Sequence, residues 1–178
     1  MSISIFEIKS RCSDPTKIRD ILKARKAFYK GKDLQIDTYF NVSSGRLKLR
    51  EGKIENNLIY YDREDKKGPK RSFVNLYTTD PVSSLNLKAL LSKALGVLVE
   101  VEKQREIYFV ENVKFHVDIV KNLGSFVEIE AIDRDGSIGV VELKKQCKYF
   151  LNLFKIPEKD LISHSYSDLL LQLGRHQP

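Results

Sequence analysis

Residues 125–132 read Ser-Phe-Val-Glu-Ile-Glu-Ala-Ile. Side chains of a β-strand alternate faces with a period of two, so Glu128 and Glu130 share one face while Val127, Ile129 and Ala131 share the other. Two like charges at that spacing are costly unless a cation sits between them. The same alternation recurs elsewhere. Glu7 and Lys9 oppose Phe6 and Ile8; Arg46, Lys48 and Arg50 oppose Leu47 and Leu49; His116 and Asp118 oppose Phe115, Val117 and Ile119. Lys103 and Arg105 form a similar pair between the polar residues Glu102 and Gln104. One face of these strands is apolar and the other carries charge of both signs. Glu7, Asp118, Glu128 and Glu130 make an acidic group; Lys9, Arg46, Lys48, Arg50, Arg63, Lys103 and Arg105 make a basic one.

That composition suits a site that binds a polyphosphate through a divalent ion. Hard cations take oxygen ligands from carboxylates and from the phosphates, while Lys and Arg neutralise the remaining charge and Arg forks match phosphate oxygens. Eight antiparallel strands can close into a barrel whose inner positions alternate with outer ones. Charged faces turned inward would leave apolar outer faces for helices to cover. The competing reading is a solvated sheet face, the commonest origin of alternating charge. Against it, the charged positions are almost purely ionic, with little Thr, Ser or Gln among them.

Working outward along the chain, residues 3–11 alternate as a strand. Ser13-Asp14-Pro15 opens an amphipathic stretch expected to be helical to about Phe28, with Gly31 breaking the pattern. Residues 34–42, 45–52 and 56–63 are short alternating runs bounded by Asn, Ser and Gly, as in an antiparallel meander. The mixed-charge stretch 62–71 is expected to be a loop. Its Asp65–Lys70 part would either close over phosphates at a barrel mouth or be solvated. A strand resumes over 71–79. A helix over Pro81–Leu95 has cap candidates Ser83 and Ser84 and a stop at Gly96. Strands over 97–110, 114–120 and 125–132 follow, then a helix over about 138–154 capped by Ser137 and a short one over 165–173. The class is α+β: a closed eight-stranded antiparallel barrel, or tunnel, with helices packed outside.

The chain has 178 residues, 42% hydrophobic and 31% charged, long enough for a single domain with its own core. Its 31 basic and 24 acidic residues leave a net +7, which favours an anionic partner. Cys12 and Cys147 show neither metal-ligand spacing nor the density of a disulfide scaffold, which points to a reducing, cytoplasmic setting. Glu7 and Lys9 interrupt any signal-peptide-like start, and no apolar run approaches the roughly 20 residues of a membrane helix. His116, His164 and His176 are scattered, which argues against a His-based zinc site. No Walker A sequence, Gly-x-Gly-x-x-Gly fingerprint or Gly-x-Ser-x-Gly elbow occurs, so P-loop, Rossmann and serine-hydrolase readings have no support.

Taken in order, Glu7-Ile8-Lys9, Gln35-Ile36-Asp37-Thr38-Tyr39-Phe40, Arg46-Leu47-Lys48-Leu49-Arg50-Glu51, Lys103-Gln104-Arg105, His116-Val117-Asp118 and Phe126-Val127-Glu128-Ile129-Glu130 resemble the CYTH superfamily, also called triphosphate tunnel metalloenzymes. The likeness spans essentially the whole chain. Within the superfamily, segments 35–40, 45–51 and 165–170 look most like class IV adenylate cyclases. The resemblance implies a tunnel whose lumen binds a triphosphate with Mg²⁺ or Mn²⁺. Glu7, Glu128 and Glu130 would be metal ligands, with Asp118 a ligand or a support for one. Lys9, Arg46, Lys48, Arg50, Arg63, Lys103 and Arg105 would hold phosphates, and Lys9, Arg63 and Asp118 would act in catalysis. In a cyclase the ribose 3′-hydroxyl attacks the α-phosphorus of ATP and releases pyrophosphate; in a triphosphatase, water attacks the γ-phosphorus. The resemblance also implies a homodimer.

One position departs from the pattern. The superfamily opens with Glu-x-Glu-x-Lys, and here the first Glu is Ile5, so only Glu7 and Lys9 match. A missing carboxylate would weaken one of two metal sites, leave a single-metal enzyme, or mark a protein that binds triphosphates or RNA 5′-triphosphate ends without turnover. No other nucleic-acid partner is expected. A structural barrel whose charges pair only with each other is the remaining alternative.

Overall fold

The structure, a computed structural model, describes residues 3–63 and 68–174. The described strands are β1 (Ile3–Arg11), β2 (Phe28–Phe40), β3 (Arg46–Glu51), β4 (Asn57–Arg63), β5 (Lys70–Thr78), β6 (Val97–Val110), β7 (Val113–Val120), β8 (Gly124–Asp133) and β9 (Leu161–Ile162). They pair antiparallel in the order β5-β4-β3-β2-β6-β7-β8-β1-β9, and β1 also pairs with β5, so eight strands close into a ring. The two-residue β9, which no sequence signal announced, pairs with β1 at Lys9 and Ser10, beyond the point where β5 leaves it. The described helices are α1 (Pro15–Ala24), α2 (Pro81–Leu95), α3 (Val140–Leu153) and α4 (Tyr166–Gly174).

The two faces of the strands go where their alternation sends them. Phe6 and Ile8 of β1, Val113, Phe115 and Val117 of β7, and Val127, Ile129 and Ala131 of β8 point outward. They pack beneath Ile18 and Leu22 of α1 and Leu143, Cys147 and Phe150 of α3. Phe115 meets Phe150 and Phe154 nearly edge-on, with ring centroids 4.7 and 5.6 Å away. Each such side chain contributes about 1.5–3 kcal/mol through burial. The helical cover is one-sided: on the outer faces of β2 and β5, Leu34 and Phe73 stay 68% and 47% exposed, and Ser84 is the only residue of α2 that is fully buried.

A second apolar cluster lies inside the ring and comprises Tyr39, Ile59, Tyr61, Val101, Val120, Phe126, Ile162 and Tyr166. Val101 and Phe126 lie in the first halves of β6 and β8 and Val120 ends β7, so this cluster occupies one end of the lumen. There β9 and α4 supply Ile162 and Tyr166 as a plug.

Several local expectations are corrected. Helix α1 stops at Ala24 rather than near Phe28, because Lys26 takes a left-handed φ of 54° and the amides of Arg25, Lys26 and Ala27 turn back onto carbonyls of the last turn. A lysine in that role leaves no glycine for the eye to find. Strand β2 begins at Phe28 and runs through Gly31, which sits at a bulge with φ 140° instead of ending an element. Helix α2 is capped by Asp80, which accepts from the amides of Val82 and Ser83, not by Ser83 or Ser84. Helix α3 starts after Gly139; Ser137 is not its cap, and Asp133 accepts the amides of Gly136 and Gly139 just before it. Lys70, assigned to a loop, opens β5 and is fully buried, with Nζ donating to the Ser163 carbonyl at 2.8 Å. Asp65–Lys67 lie outside the described residues.

Replacing Phe115 with Ala removes an aromatic from the α1–α3 core and is expected to cost about 3–5 kcal/mol in denaturant unfolding. Leu34→Ala on the uncovered wall should shift stability by about 0.5 kcal/mol or less. Equal effects would contradict one-sided cover.

Candidate active site

The inward faces meet in a cavity of about 410 Å³, lined among others by Glu7, Lys9, Asp37, Lys48, Arg50, Arg105, Lys114, His116, Glu128, Glu130 and Tyr166. Strand register sets the order of charge. Across β1 and β8, Lys9 faces Glu128, Glu7 faces Glu130 and Ile5 faces Ile132; across β7 and β8, His116 faces Glu128 and Lys114 faces Glu130. Each step of two residues along β1 therefore moves from paired charge, to two carboxylates, to an apolar pair.

Two ion networks fill the cavity walls. In the first, fully buried Asp37 accepts from Arg50 Nε at 2.8 Å, Arg50 Nη2 at 3.0 Å and Lys48 Nζ at 3.0 Å. Lys103 Nζ lies 2.6 Å from the same carboxylate without hydrogen-bond alignment, so charge alone carries that contact. Burial would raise the Asp37 carboxyl, but Arg50, Lys103 and Lys48 outweigh it and hold it well below the usual carboxylate range. Burial pushes Lys103 well down, only partly offset by Asp37. Glu55 bridges Arg50 Nη1 at 2.9 Å to Lys114 Nζ at 2.6 Å, joining β3 to β7 across the cavity. Its loop is held by Asp33, which accepts the amides of Lys53, Ile54 and Glu55. Gly52 permits that approach, since a Cβ there would stand 2.5 Å from Asp33 Oδ2.

In the second network, Arg105 donates to Asp118 through Nε at 2.7 Å and Nη2 at 2.5 Å and to Glu128 through Nη2 at 2.9 Å. The Tyr166 hydroxyl donates to Asp118 at 2.7 Å, and Lys9 Nζ lies 3.7 Å from the centre of the Tyr166 ring. Glu128 also meets Lys9 Nζ at 2.8 Å and His116 Nδ1 at 2.9 Å. Burial would raise Glu128, yet Lys9, Arg105 and the His116 hydrogen bond hold it well below its ordinary value. The ligand atoms of His116, Glu128 and Glu130 all lie within 4.8 Å of one another, and Glu7 faces Glu130, so this donor set fits a divalent cation.

Residues 6–166 match the CYTH domain family. The chain belongs to the CYTH family. Proteins of this family process triphosphates and depend on a metal ion. No curated protein matches the chain in sequence. Among solved structures, a Pyrococcus horikoshii protein is 26% identical, with a TM-score of 0.76 over 95% of this chain and 99% of its own. A Vibrio parahaemolyticus protein described as a candidate adenylate cyclase is 17% identical, with a TM-score of 0.72 over 94% of this chain and 97% of its own. A Hippeastrum protein, described as a candidate adenylyl cyclase with a dominant triphosphatase activity, is 16% identical, with a TM-score of 0.63 over 100% of this chain and 98% of its own.

Of the residues singled out from sequence, Glu7, Lys9, Lys48, Arg50, Arg105, Glu128 and Glu130 line this cavity. Lys103 and Asp118 are buried behind it, against Asp37 and against Arg105 and Tyr166. Arg46 turns to Asp168 of α4 at 3.1 Å. Arg63 ends β4, and its side chain lies outside the described residues. Sequence reasoning passed over Asp37, Glu55, Lys114 and Tyr166. Asp37 and Lys114 share the strand parity of Tyr39 and His116, a signal that was there to use; Glu55 stands on a loop without periodicity, and Tyr166 arrives from a helix.

Asp37→Asn leaves three cations around a neutral amide and is expected to cost about 3–5 kcal/mol. A carboxyl held low by folding contributes its stability above the unfolded value of about 4 and loses it as pH falls toward the lowered folded value. Unfolding measured from pH 8 to 3 should show a deficit that is constant above about pH 5 and narrows below about 4.

Proposed function

We propose that this CYTH protein is a divalent-cation-dependent enzyme acting on nucleoside triphosphates, converting ATP to 3′,5′-cyclic AMP and pyrophosphate. The observation that carries the reading is the convergence of Lys9, Lys48, Arg50, Arg105 and Lys114, from four strands, on a cavity that also holds Glu7, Glu128 and Glu130. These cations are held by carboxylates of the chain itself, so phosphate oxygens entering the lumen would compete with Asp37 and Glu55 for Arg50, Lys48 and Lys114. The divalent cation that accompanies the triphosphate would offset part of the negative charge it adds. Ile5, Ile54, Val74, Phe109 and Ile132 give the cavity an apolar portion that inorganic triphosphate would leave unused and a nucleoside would cover.

In cyclisation the ribose 3′-oxygen bonds to the α-phosphorus as the bond to the bridging oxygen breaks. Pyrophosphate leaves with its charge held by Lys and Arg, and the hydroxyl proton passes to a lumen carboxylate, Glu7 or Glu130. Mg²⁺ or Mn²⁺ held by the lumen carboxylates would neutralise phosphate charge and polarise the phosphoryl oxygens. The chain's own contribution is positioning and fixed charge. Hydrolysis is the second reading, supported by the triphosphatase activity in the description of the Hippeastrum relative.

Incubation with ATP and Mn²⁺ should yield cyclic AMP with pyrophosphate, or ADP with phosphate if hydrolysis prevails. Glu130→Ala should lower either by about 100-fold or more, and chelation should abolish both. Neither product above the Glu130→Ala background would overturn the reading.

A further inference from the structure

The donor set of the lumen contains a nitrogen. His116 Nδ1 lies 2.9 Å from Glu128 Oε2 and 3.6 Å from Glu130 Oε1. Ligands of one ion with bonds of about 2.1 Å stand about 3 Å or slightly more from each other, so each of these carboxylate oxygens already stands at that spacing from the imidazole nitrogen, and the whole set lies within 4.8 Å. The His116 ring is 1% exposed, and its Nε2 has no hydrogen-bond partner among the described residues. Among the described residues its polar contacts are with the two carboxylates.

We propose that His116 is a ligand of the lumen cation together with Glu130 and Glu128, and that the site therefore takes a first-row transition ion such as Mn²⁺ or Co²⁺ in preference to Mg²⁺. This rests on reading the lumen as a divalent-cation site. The departure at Ile5 works in the same direction. Ile5 faces Ile132 across β1 and β8 and lines the same cavity, so the strand pair that offers Glu7 and Glu130 offers no oxygen at the next inward step. With an oxygen position lost and an imidazole present, the set moves away from the all-oxygen octahedron that Mg²⁺ demands and toward ions that accept nitrogen. Lys9 and Arg105 already hold Glu128, so Glu130 and His116 carry more of the binding until a triphosphate draws those two cations away. Cation and triphosphate binding would then reinforce each other.

Calorimetric titration of the full chain with Mg²⁺, Mn²⁺ or Co²⁺, each with and without tripolyphosphate, tests this. Mn²⁺ and Co²⁺ are expected to bind at least about 10-fold more tightly than Mg²⁺, and His116→Gln, which keeps a hydrogen-bond donor but no imidazole, should shrink that ratio several-fold. Pulsed electron paramagnetic resonance of the Mn²⁺-loaded wild-type protein should show coupling to an imidazole nitrogen and needs no variant. Absence of that coupling, or an unchanged Co²⁺-to-Mg²⁺ ratio in His116→Gln, overturns the assignment even where tripolyphosphate binds. Failure of tripolyphosphate to bind with any of the ions would instead overturn the reading of the lumen itself.

Discussion

Charge balance inside a closed sheet is the constraint on which this CYTH domain depends. Closure through β1 and β5 turns every second residue of eight strands toward a common interior, where an isolated ion is too costly to keep. The lumen cations are accordingly paired with carboxylates: Asp37 with Lys48, Arg50 and Lys103, Glu55 with Arg50 and Lys114, Glu128 with Lys9, and Asp118 and Glu128 with Arg105. Fixing these side chains in one arrangement holds the lumen in shape for a ligand before any ligand arrives.

Carboxylates of the chain neutralise Arg50 and Lys114, so any anion that draws on either cation has to compete with them. Glu55 is the member of this set carried by a loop, and Asp33 and Gly52 determine how far that loop can approach. The apolar core between the ring and α1 and α3 is separate from this chemistry. It anchors the wall made of β1, β7 and β8, the wall that carries Glu7, His116, Glu128 and Glu130.

Much of this was legible in the chain, because alternation is a local property. Once Glu128-Ile129-Glu130 is a strand, its two carboxylates must share a face, and the same logic paired Glu7 with Lys9 and Lys48 with Arg50. Strand β6 was delimited at both ends by its own residues, Gly96 before it and Asn112 just after it. What escaped had no local signature. Lys26 ends α1 in a backbone conformation usually left to glycine, β9 exists only because β1 has a free edge beyond β5, and Lys70 looked like part of a charged turn until its partner, the Ser163 carbonyl, came from 93 residues away.

The amino-acid order by itself determined which residues lie on the charged side of each strand and which on the apolar side, because the period of a strand leaves no choice. Tertiary structure alone decided which charges meet. Arg105 touches Asp118 and Glu128 through the register of β6, β7 and β8, while Glu55 reaches Lys114 and Tyr166 enters from α4 beneath Lys9 through ring closure between segments distant in the chain. Hydrogen bonding between strands sets that register, and only the closed sheet satisfies it everywhere at once.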